Sequence, residues 1–161
     1  PNPIKYIGIL VQLIGSWGYD TNTQSITATT NDPVFALARR VALNAIYMME
    51  PNVTWASSTE ATDFGNQILP LFNAEVMYSG DNAETDVFQW LNDAMAFISK
   101  DIQTRGSGLP DLVTRSYNAN LPACQIANLL YGDGSRDEEI IIRNNPKRPM
   151  FMGTSLEVLS R

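Results

Sequence analysis

The sequence predicts a mostly α-helical chain in two parts. A helical region over residues 1–106 is followed by a small strand–helix–helix–strand module over residues 107–161, which is α+β. Two observations predict this organisation. Apolar residues recur every three or four positions through much of the first hundred residues, as they do on one face of an α-helix. The segment Gly-Ser-Gly-Leu-Pro at 106–110 has the composition of a linker, and shorter apolar runs follow it.

The first helix is predicted to start at Pro3, because proline is favoured at the first position of a helix. Two glycines interrupt the pattern and leave a strand as the alternative. The apolar run from Ile7 to Ile14 is too short to cross a bilayer, so a buried element is the better interpretation. Residues 15–32 are rich in Gly, Asp, Asn, Thr and Ser and are predicted to form a loop. The apolar face of the helix consists of Ile4, Ile7, Leu10 or Val11, and Ile14.

The second helix is predicted from the signals at its N-terminus. Asn31 or Asp32 would cap it, and Pro33 would occupy its first position. Apolar side chains at helical spacing predict the face that packs on the core, and Arg39 and Arg40 fall outside that face. The predicted core stripe consists of Val34, Leu37, Val41, Ala45 and Met48.

A third helix is predicted after Ser57 and Ser58, on a regular apolar pattern. Pro70 falls inside this pattern. Because proline removes one backbone hydrogen bond and clashes with the preceding turn, we expect it to kink or split the helix, at about 3 kcal/mol if nothing relieves it. The predicted stripe consists of Phe64, Ile68, Leu71 or Phe72, and Val76.

A fourth helix is predicted to begin near Asp81 and Asn82. Glu84 and Asp86 then lie in its early turns, where carboxylates interact favourably with the helix dipole. Gly106 is predicted as the glycine that ends the helix. Three aromatic residues widen the apolar surface beyond one stripe, which fits either a wide core face or a surface that binds a partner. The stripe is Val87, Leu91, Ala94 or Met95, Ile98 and Ile102, and the aromatic residues are Phe88, Trp90 and Phe97.

Residues 112–161 are predicted to form two strands, at 112–117 and 155–159, with two short helices between them. Gly132 would cap the end of the first helix, and Ser135 or Asp137 the start of the second. Because two short helices cannot bury their apolar faces alone, the two-stranded sheet would supply the other layer. The predicted core of this module is Ile126, Leu130, Ile140, Ile141, Leu156 and Val158.

Composition argues against several classes of function. The chain has 161 residues and a net charge of −6 with no basic stripe, which argues against direct binding of nucleic acid. It has no histidine, which excludes a Ser-His-Asp triad, a Cys-His pair and a histidine metal site. Its one cysteine, Cys124, excludes an internal disulfide and is predicted to be a buried, unreactive thiol. With no P-loop or G-x-G-x-x-G motif either, we expect no enzyme activity and no cofactor.

The acidic run at 133–139 has a partial likeness to a calcium-binding loop. Asp133, Ser135 and Asp137 match the first ligand positions. Glu138 stands where the loop requires glycine, and Asn144 stands where it requires glutamate. A helix boundary is therefore the better interpretation, with the acidic residues facing the positive end of the following helix, and no metal site is expected.

Three stretches together resemble one protein family. They are DPVFALARRVALNA at 32–45, VFQWLNDAMAFISKDIQTR at 87–105, and the segment 121–161. The last segment contains ordered landmarks, namely Tyr131-Gly132-Asp133, Arg143-Asn144, Pro149 and Leu156-Glu157-Val158-Leu159. Over about residues 32–161, these stretches are similar to the Mu-like phage "DNA circularisation" tail proteins.

The resemblance implies a place and a role. Members of that family are longer, so this chain would correspond to the C-terminal part of such a protein, either as a fragment or as a shortened relative. It would be a structural component of a contractile phage tail, at the baseplate hub or the tube–baseplate junction, made in the host cytoplasm and assembled into the virion. Expected partners are tube, hub and tape-measure proteins, with several copies of the chain around the tail axis. The terminal module is similar to a LysM-like module, which serves as an assembly adaptor in baseplate proteins.

Six residues are candidate partner contacts. In sugar-binding LysM modules a shallow groove lies between two loops, which here would be residues 117–121 and 145–153. An alternative function is therefore carbohydrate (peptidoglycan) binding, with Tyr117 and Phe151 as stacking residues. A DNA-end-joining factor, which the family name suggests, conflicts with the negative charge. The candidate contacts are Trp90, Phe97, Tyr117, Arg148, Met150 and Phe151.

Overall fold

The computed structural model describes residues 2–27 and 33–160, which are mostly α-helical. The chain divides into two compact units. The first takes in the chain up to residue 56 together with residues 60–108, and the second takes in residues 57–59 and 109–161. The first unit contains α1 (Ile4–Ser16), β1 (Tyr19–Asp20), β2 (Ser25–Ile26), α2 (Pro33–Met49), most of α3 (Ser58–Asp81) and α4 (Thr85–Gly106). The second contains β3 (Leu112–Ser116), α5 (Ala123–Tyr131), α6 (Asp137–Asn144) and β4 (Ser155–Leu159).

Helix α1 confirms the helical interpretation of the first apolar run, with Ile7 and Ile14 buried. Pro3 lies one residue before the helix rather than at its first position. The segment after α1 is more ordered than the loop that its composition predicts. Strands β1 and β2 pair in a short antiparallel hairpin, in which Tyr19 lies opposite Ile26. A two-residue strand has too few positions to show an alternating pattern, so periodicity could not predict this hairpin.

The predicted core stripe of α2 is wrong, because the helix packs with a different face. Ala36, Arg39, Ala42, Leu43 and Ile46 are its buried residues. Four residues of the predicted stripe are exposed instead, and Ala45 is only half-buried. The exposed fractions are 68% for Val34, 63% for Leu37, 60% for Val41 and 67% for Met48. Asn31 and Asp32, the predicted caps of this helix, lie outside the described residues.

Helix α3 follows its predicted stripe, with Phe64, Ile68 and Phe72 buried along one side. Pro70 lies inside the helix without splitting it, since one helix runs unbroken over 24 residues. The carbonyl that loses its partner at Pro70 belongs to Asn66, four residues earlier, and Asn66 is exposed. An exposed carbonyl at this position can accept a hydrogen bond from water, which would offset part of the cost of the proline.

Helix α4 buries Leu91, Ala94 and Ile98 as predicted. Gly106 is the last residue of α4, so it ends the helix as predicted, but its backbone is not in the left-handed conformation of a C-terminal glycine cap. Its small size serves packing instead, because a Cβ at this position would lie 3.0 Å from the Cβ of Ala61. The three aromatic residues remain partly exposed. The exposed fraction is 38% for Phe88 and for Trp90, and 48% for Phe97.

The second unit has the predicted order strand–helix–helix–strand. Strands β3 and β4 are antiparallel neighbours, with Val113 opposite Val158. Gly132 takes the left-handed conformation at the end of α5, as predicted. The buried cluster contains Ile126, Ile140, Leu156 and Val158 of the predicted core, with Leu130 and Ile141 packed at its margin. Ala123, Ala127 and Met152 complete the cluster and were not predicted.

Two local predictions in the second unit are wrong. Asp133, rather than Ser135 or Asp137, supplies the side-chain cap, since its carboxylate accepts a hydrogen bond from the backbone N–H of Ser135 at 2.9 Å. This cap belongs to a short 3₁₀ turn that leads into α6, so it stands one turn earlier than expected. Cys124 is exposed rather than buried, because it lies on the outer side of α5, next to buried Ala123.

Two side chains cover the outer edge of β4. The amide group of Asn144 donates to the carbonyl of Glu157 at 2.8 Å and accepts from its N–H at 2.9 Å. The hydroxyl of Tyr131 accepts from the N–H of Leu159 at 3.1 Å and donates to its carbonyl at 3.3 Å. Asn144 and Tyr131 end α6 and α5 respectively, so each helix is fixed to the strand at its C-terminus.

Candidate interaction surfaces

A buried ion pair determines which face of α2 points inward. The side chains of Arg39 and Glu75 are each 1% exposed, and Arg39 Nε donates to Glu75 Oε2 at 2.7 Å. Arg39 also donates to the carbonyl of Trp17 at 2.8 Å, and its guanidinium lies 5.0 Å from the ring centroid of Tyr78. A buried charge is tolerated when it is paired and hydrogen-bonded in this way. The side of α2 that carries Arg39 therefore packs against the core of the first unit.

Arg40 extends this network towards the surface. Its Nε donates to the second oxygen of Glu75 at 2.8 Å, and its Nη2 pairs with Glu84. The one buried carboxylate of Glu75 thus bridges two neighbouring arginines, and Glu84 supplies the second negative charge. As a result, the positive charge of α2 is neutralised within the first unit.

With the arginines turned inward, the apolar stripe of α2 becomes a surface. Val34, Leu37, Val41 and Met48 recur at intervals of three, four and seven residues. With Asn44 between Val41 and Met48, the spacing is three, four, three and four, which is the heptad spacing of a coiled-coil seam. We call these five residues the α2 seam. Apolar residues at such spacing normally pack against another helix. Within the described residues, however, the four apolar residues of the α2 seam are each at least 60% exposed.

The α2 seam is flanked by two grooves. The groove towards α1 has a volume of about 390 Å³ and is lined almost wholly by apolar atoms, including those of Leu10, Trp17 and Ala38. The groove towards α4 has a volume of about 410 Å³ and is lined by Val41, Asn44 and Trp90 among others. A ridge between two grooves is the shape on which a further helix packs.

The predicted contacts Trp90 and Phe97 lie together beside this surface. Both rings meet Tyr47 of α2 edge-on, with centroid distances of 6.0 Å for Trp90 and 5.6 Å for Phe97. Each keeps more than a third of its surface exposed. The sequence therefore identified one side of the exposed apolar surface and missed the α2 seam, which it assigned to the core.

A second charged cluster lies where α4 ends. Glu50 is fully buried, and Arg105 donates to its Oε1 at 2.7 Å and to Asp101 Oδ2 at 2.6 Å. Arg105 also donates to the carbonyl of Val53 at 2.7 Å and lies 4.3 Å from the ring centroid of Trp55. The cluster joins the C-terminal turn of α4 to the segment that follows α2.

The carboxyl groups of Glu50 and Asp101 lie close enough to influence each other's pKa, and the shifts have opposite directions. Burial, and then the hydrogen bond and charge of Asp101, raise the pKa of Glu50 to about 7, against the opposing effect of Arg105. Burial also disfavours ionisation of Asp101, but hydrogen bonds from Arg105 and Glu50 outweigh it and hold the pKa of Asp101 below its usual value. Glu50 is therefore the partner that holds a proton in weakly acidic solution and loses it as the pH rises through about 7. Two acids at one arginine could serve acid–base chemistry only beside a substrate, and Glu50 is closed off from solvent.

The other four predicted contacts lie at one end of the second unit. Arg148, Met150 and Phe151 are exposed, the last two by 64% and 63%. Tyr117 is half-buried against the core, and burial raises the pKa of its hydroxyl. The two loops that would border a sugar-binding groove are joined by their backbones, since Met152 N–H donates to the carbonyl of Leu121 at 3.2 Å.

The acidic run at 133–139 forms a local network. Asp133 accepts two bonds from Ser135, and Arg136 pairs with Glu139 at 2.8 Å. The guanidinium of Arg136 also stacks on the ring of Tyr131, 3.9 Å from its centroid. Among the described residues, no group of three or more acidic or cysteine side chains is placed to hold a metal ion.

No family model matches the chain, and no curated protein matches it. Of the helices within residues 2–27 and 33–160, none combines the length and the hydropathy that a membrane crossing requires.

Proposed function

We propose that this chain is a non-enzymatic structural subunit that acts through protein–protein contacts. The observation that carries the proposal is the exposed apolar surface of the first unit, formed by the α2 seam with Trp90 and Phe97. The largest apolar patch on an ordinary monomer is about 300–600 Å² and is often functional. Large apolar side chains at heptad spacing are unfavourable when they are exposed to water, so this surface favours assembly with another protein.

The proposed place of assembly is a contractile phage tail, at the baseplate hub or the tube–baseplate junction. Its support is the resemblance of residues 32–161 to the Mu-like phage "DNA circularisation" tail proteins. The absence of histidine from the chain and the closed position of Glu50 favour a structural role over catalysis. The net charge of −6 favours protein partners over DNA.

We propose that the second unit is a LysM-like module that acts as an adaptor. Its strand–helix–helix–strand order and antiparallel strands support this assignment. Its contact surface would be the loop that presents Arg148, Met150 and Phe151. Peptidoglycan binding is less well supported, because Tyr117 is half-buried and turns little aromatic surface towards a sugar.

The test is assembly with tail proteins of the phage that encodes the chain. We expect the purified chain to co-sediment with the tube or hub protein. Trp90→Asp and Phe151→Asp should each weaken this binding, because buried aromatic anchors supply most of the energy of such interfaces. Ile142→Asp is a matched control, since Ile142 is 72% exposed and lies on neither surface.

Failure of both tube and hub proteins to bind would contradict the tail assignment. Binding that neither Trp90→Asp nor Phe151→Asp weakens would contradict the proposed contact surfaces. Saturable binding to purified cell wall that Tyr117→Ala abolishes would favour the carbohydrate alternative.

A further inference from the structure

We propose that the α2 seam is a contact between two copies of this chain, in which the two α2 helices pack side by side, parallel and in register. This inference deepens the proposed function and rests on it in one respect, that the chain works through protein contacts. It identifies the partner of one surface. The spacing, side-chain types and exposure of the α2 seam support the inference.

Heptad spacing is the first argument. Val34, Leu37, Val41, Asn44 and Met48 occupy alternating core positions of two heptads, along about 21 Å of helix at 1.5 Å per residue. The remaining faces of α2 pack within the first unit, where Ala36, Leu43 and Ile46 are buried. The helix thus has one face committed to its own core and an opposite face with the pattern of a two-helix seam.

Asn44 determines the orientation of the pair. Its side-chain amide has one weak interaction within the described residues, a 3.9 Å contact to the sulfur of Met48. In a parallel, in-register pair, Asn44 meets Asn44 of the second copy, and each amide can donate to the other. In an antiparallel pair centred on Val41, Asn44 would lie against Leu37 and lose its access to water without a partner. An antiparallel pair centred on Asn44 would leave Val34 and Leu37 uncovered.

The charges beside the α2 seam permit a second copy to approach. The residues that flank it towards α1 are Ala38 and Ala45, which are small and uncharged. Towards α4 the flanking residues are Tyr47 and Arg40, and Arg40 is already neutralised by Glu75 and Glu84. The carboxylate of Asp86 on α4 also lines this groove, so it is a charge beside the α2 seam that a second copy must accommodate.

The exposed apolar area comes close to the size that a stable pair needs. A fully exposed Val, Leu or Met side chain offers roughly 60–120 Å² and an aromatic one roughly 150–250 Å². With their exposed fractions, the four apolar residues of the α2 seam offer roughly 150–300 Å² on each copy. Trp90 and Phe97 beside them add roughly 130–220 Å², so a pair that covers all six residues buries about 600–1,000 Å² of apolar surface. A specific interface needs about 1,000 Å², which this surface approaches before any polar rim is counted.

The first experiment measures the oligomeric state of the chain alone by sedimentation velocity over a range of concentrations. We expect a reversible dimer for the wild-type chain, and Leu37→Asp should raise its dissociation constant by about 30-fold or more. Leu37 is exposed, so this change should leave the circular dichroism spectrum and the unfolding midpoint unaltered. Met77→Asp and Ile142→Asp change equally exposed apolar residues elsewhere and should leave the dimer intact.

The second experiment tests the orientation by oxidative cross-linking. Cys124 is exposed, so it is first replaced by Ser to remove a competing thiol. In that background, Asn44→Cys should form a disulfide-linked dimer at low concentration, because an in-register pair brings the two positions close together. Ile142→Cys should not.

A chain that stays monomeric at hundreds of micromolar, or a dimer that Leu37→Asp leaves unchanged, would overturn the proposal. A dimer that cross-links through Val41→Cys but not through Asn44→Cys would overturn the parallel register. None of these three results bears on co-sedimentation with tube or hub proteins, so failure here is distinguishable from failure of the tail assignment.

Discussion

Glu50→Gln should remove most of the pH dependence of stability between pH 4.5 and pH 7. Burial and Asp101 raise the pKa of Glu50 from 4.5 to about 7 in the folded chain. Between these values the folded state binds a proton that the unfolded state releases. The free energy of unfolding therefore falls as the pH rises through this window and levels off above pH 7.

The size of the effect follows from the shift. A pKa raised from 4.5 to about 7 corresponds to about 3 kcal/mol lost between pH 4.5 and pH 8, at about 1.36 kcal/mol for each tenfold change in proton affinity. Asp101 and Asp133 have lowered pKa values, so their contributions have the opposite sign and are lost only below about pH 4. Both of these effects therefore lie outside the window from pH 4.5 to pH 8 in which Glu50 acts.

The assay is urea unfolding at pH 5 and pH 8, followed by tryptophan fluorescence, because Trp55 lies beside Arg105 in this cluster. The wild-type chain should be less stable at pH 8 by about 2–3 kcal/mol. Glu50→Gln, whose amide can donate a hydrogen bond to Asp101 as the protonated acid does, should have nearly equal stability at both pH values. Equal pH dependence in the wild-type chain and the variant would refute the reasoning.

The remaining predictions concern stability measured by chemical denaturation. Glu75→Ala should destabilise the first unit by about 3–5 kcal/mol, because it leaves a buried guanidinium unpaired, whereas Asp93→Ala on the exposed side of α4 should change stability by less than about 0.5 kcal/mol. Asn144→Ala should cost about 1–3 kcal/mol by removing both bonds to the edge of β4, and Asn128→Ala, an exposed residue of α5, serves as its control. Gly132→Ala should cost about 1–2 kcal/mol, because the backbone there has a φ of +72°. Loss of less than 1 kcal/mol in Glu75→Ala would contradict the assigned role of the buried pair.

The helices themselves were predictable because each has its own apolar period. The stripes of α3 and α4 were confirmed at Phe64, Ile68, Leu91 and Ile98. The order of elements in the second unit was predictable for the same reason, helped by the glycine that ends α5.

The orientation of α2 could not be read from periodicity, because this helix has two apolar faces. Ala36, Leu43 and Ile46 form one face, and the α2 seam forms the other. The prediction placed Arg39 on the outer face because arginine is charged. In the structure Arg39 is buried, because the carboxylate of Glu75 is buried beside it and neutralises its charge. One signal was present in the sequence. Glu75 falls on the apolar stripe of α3, three residues after Phe72, and a carboxylate at such a position requires a buried cation.

Single-residue features were the hardest to predict. Cys124 was assigned to the interior from its apolar neighbours, but a nine-residue helix buries only a narrow face and this position lies outside it. The charged cluster at Glu50 joins residues more than fifty positions apart, and local sequence carries no information about such a distance. The exposure of Trp90 and Phe97 was easier to predict, because a helix with more aromatic residues than one stripe can hold shows this excess in its sequence alone.

The side chains that cover the edge of β4 affect how densely copies of this chain can be packed. A two-stranded sheet has an unpaired backbone along each outer strand, which can recruit strands from other molecules and start fibrous growth. At Glu157 and Leu159 the outward N–H and carbonyl groups are already bonded to Asn144 and Tyr131. Many second units could therefore be crowded together without β4 acting as a template for aggregation.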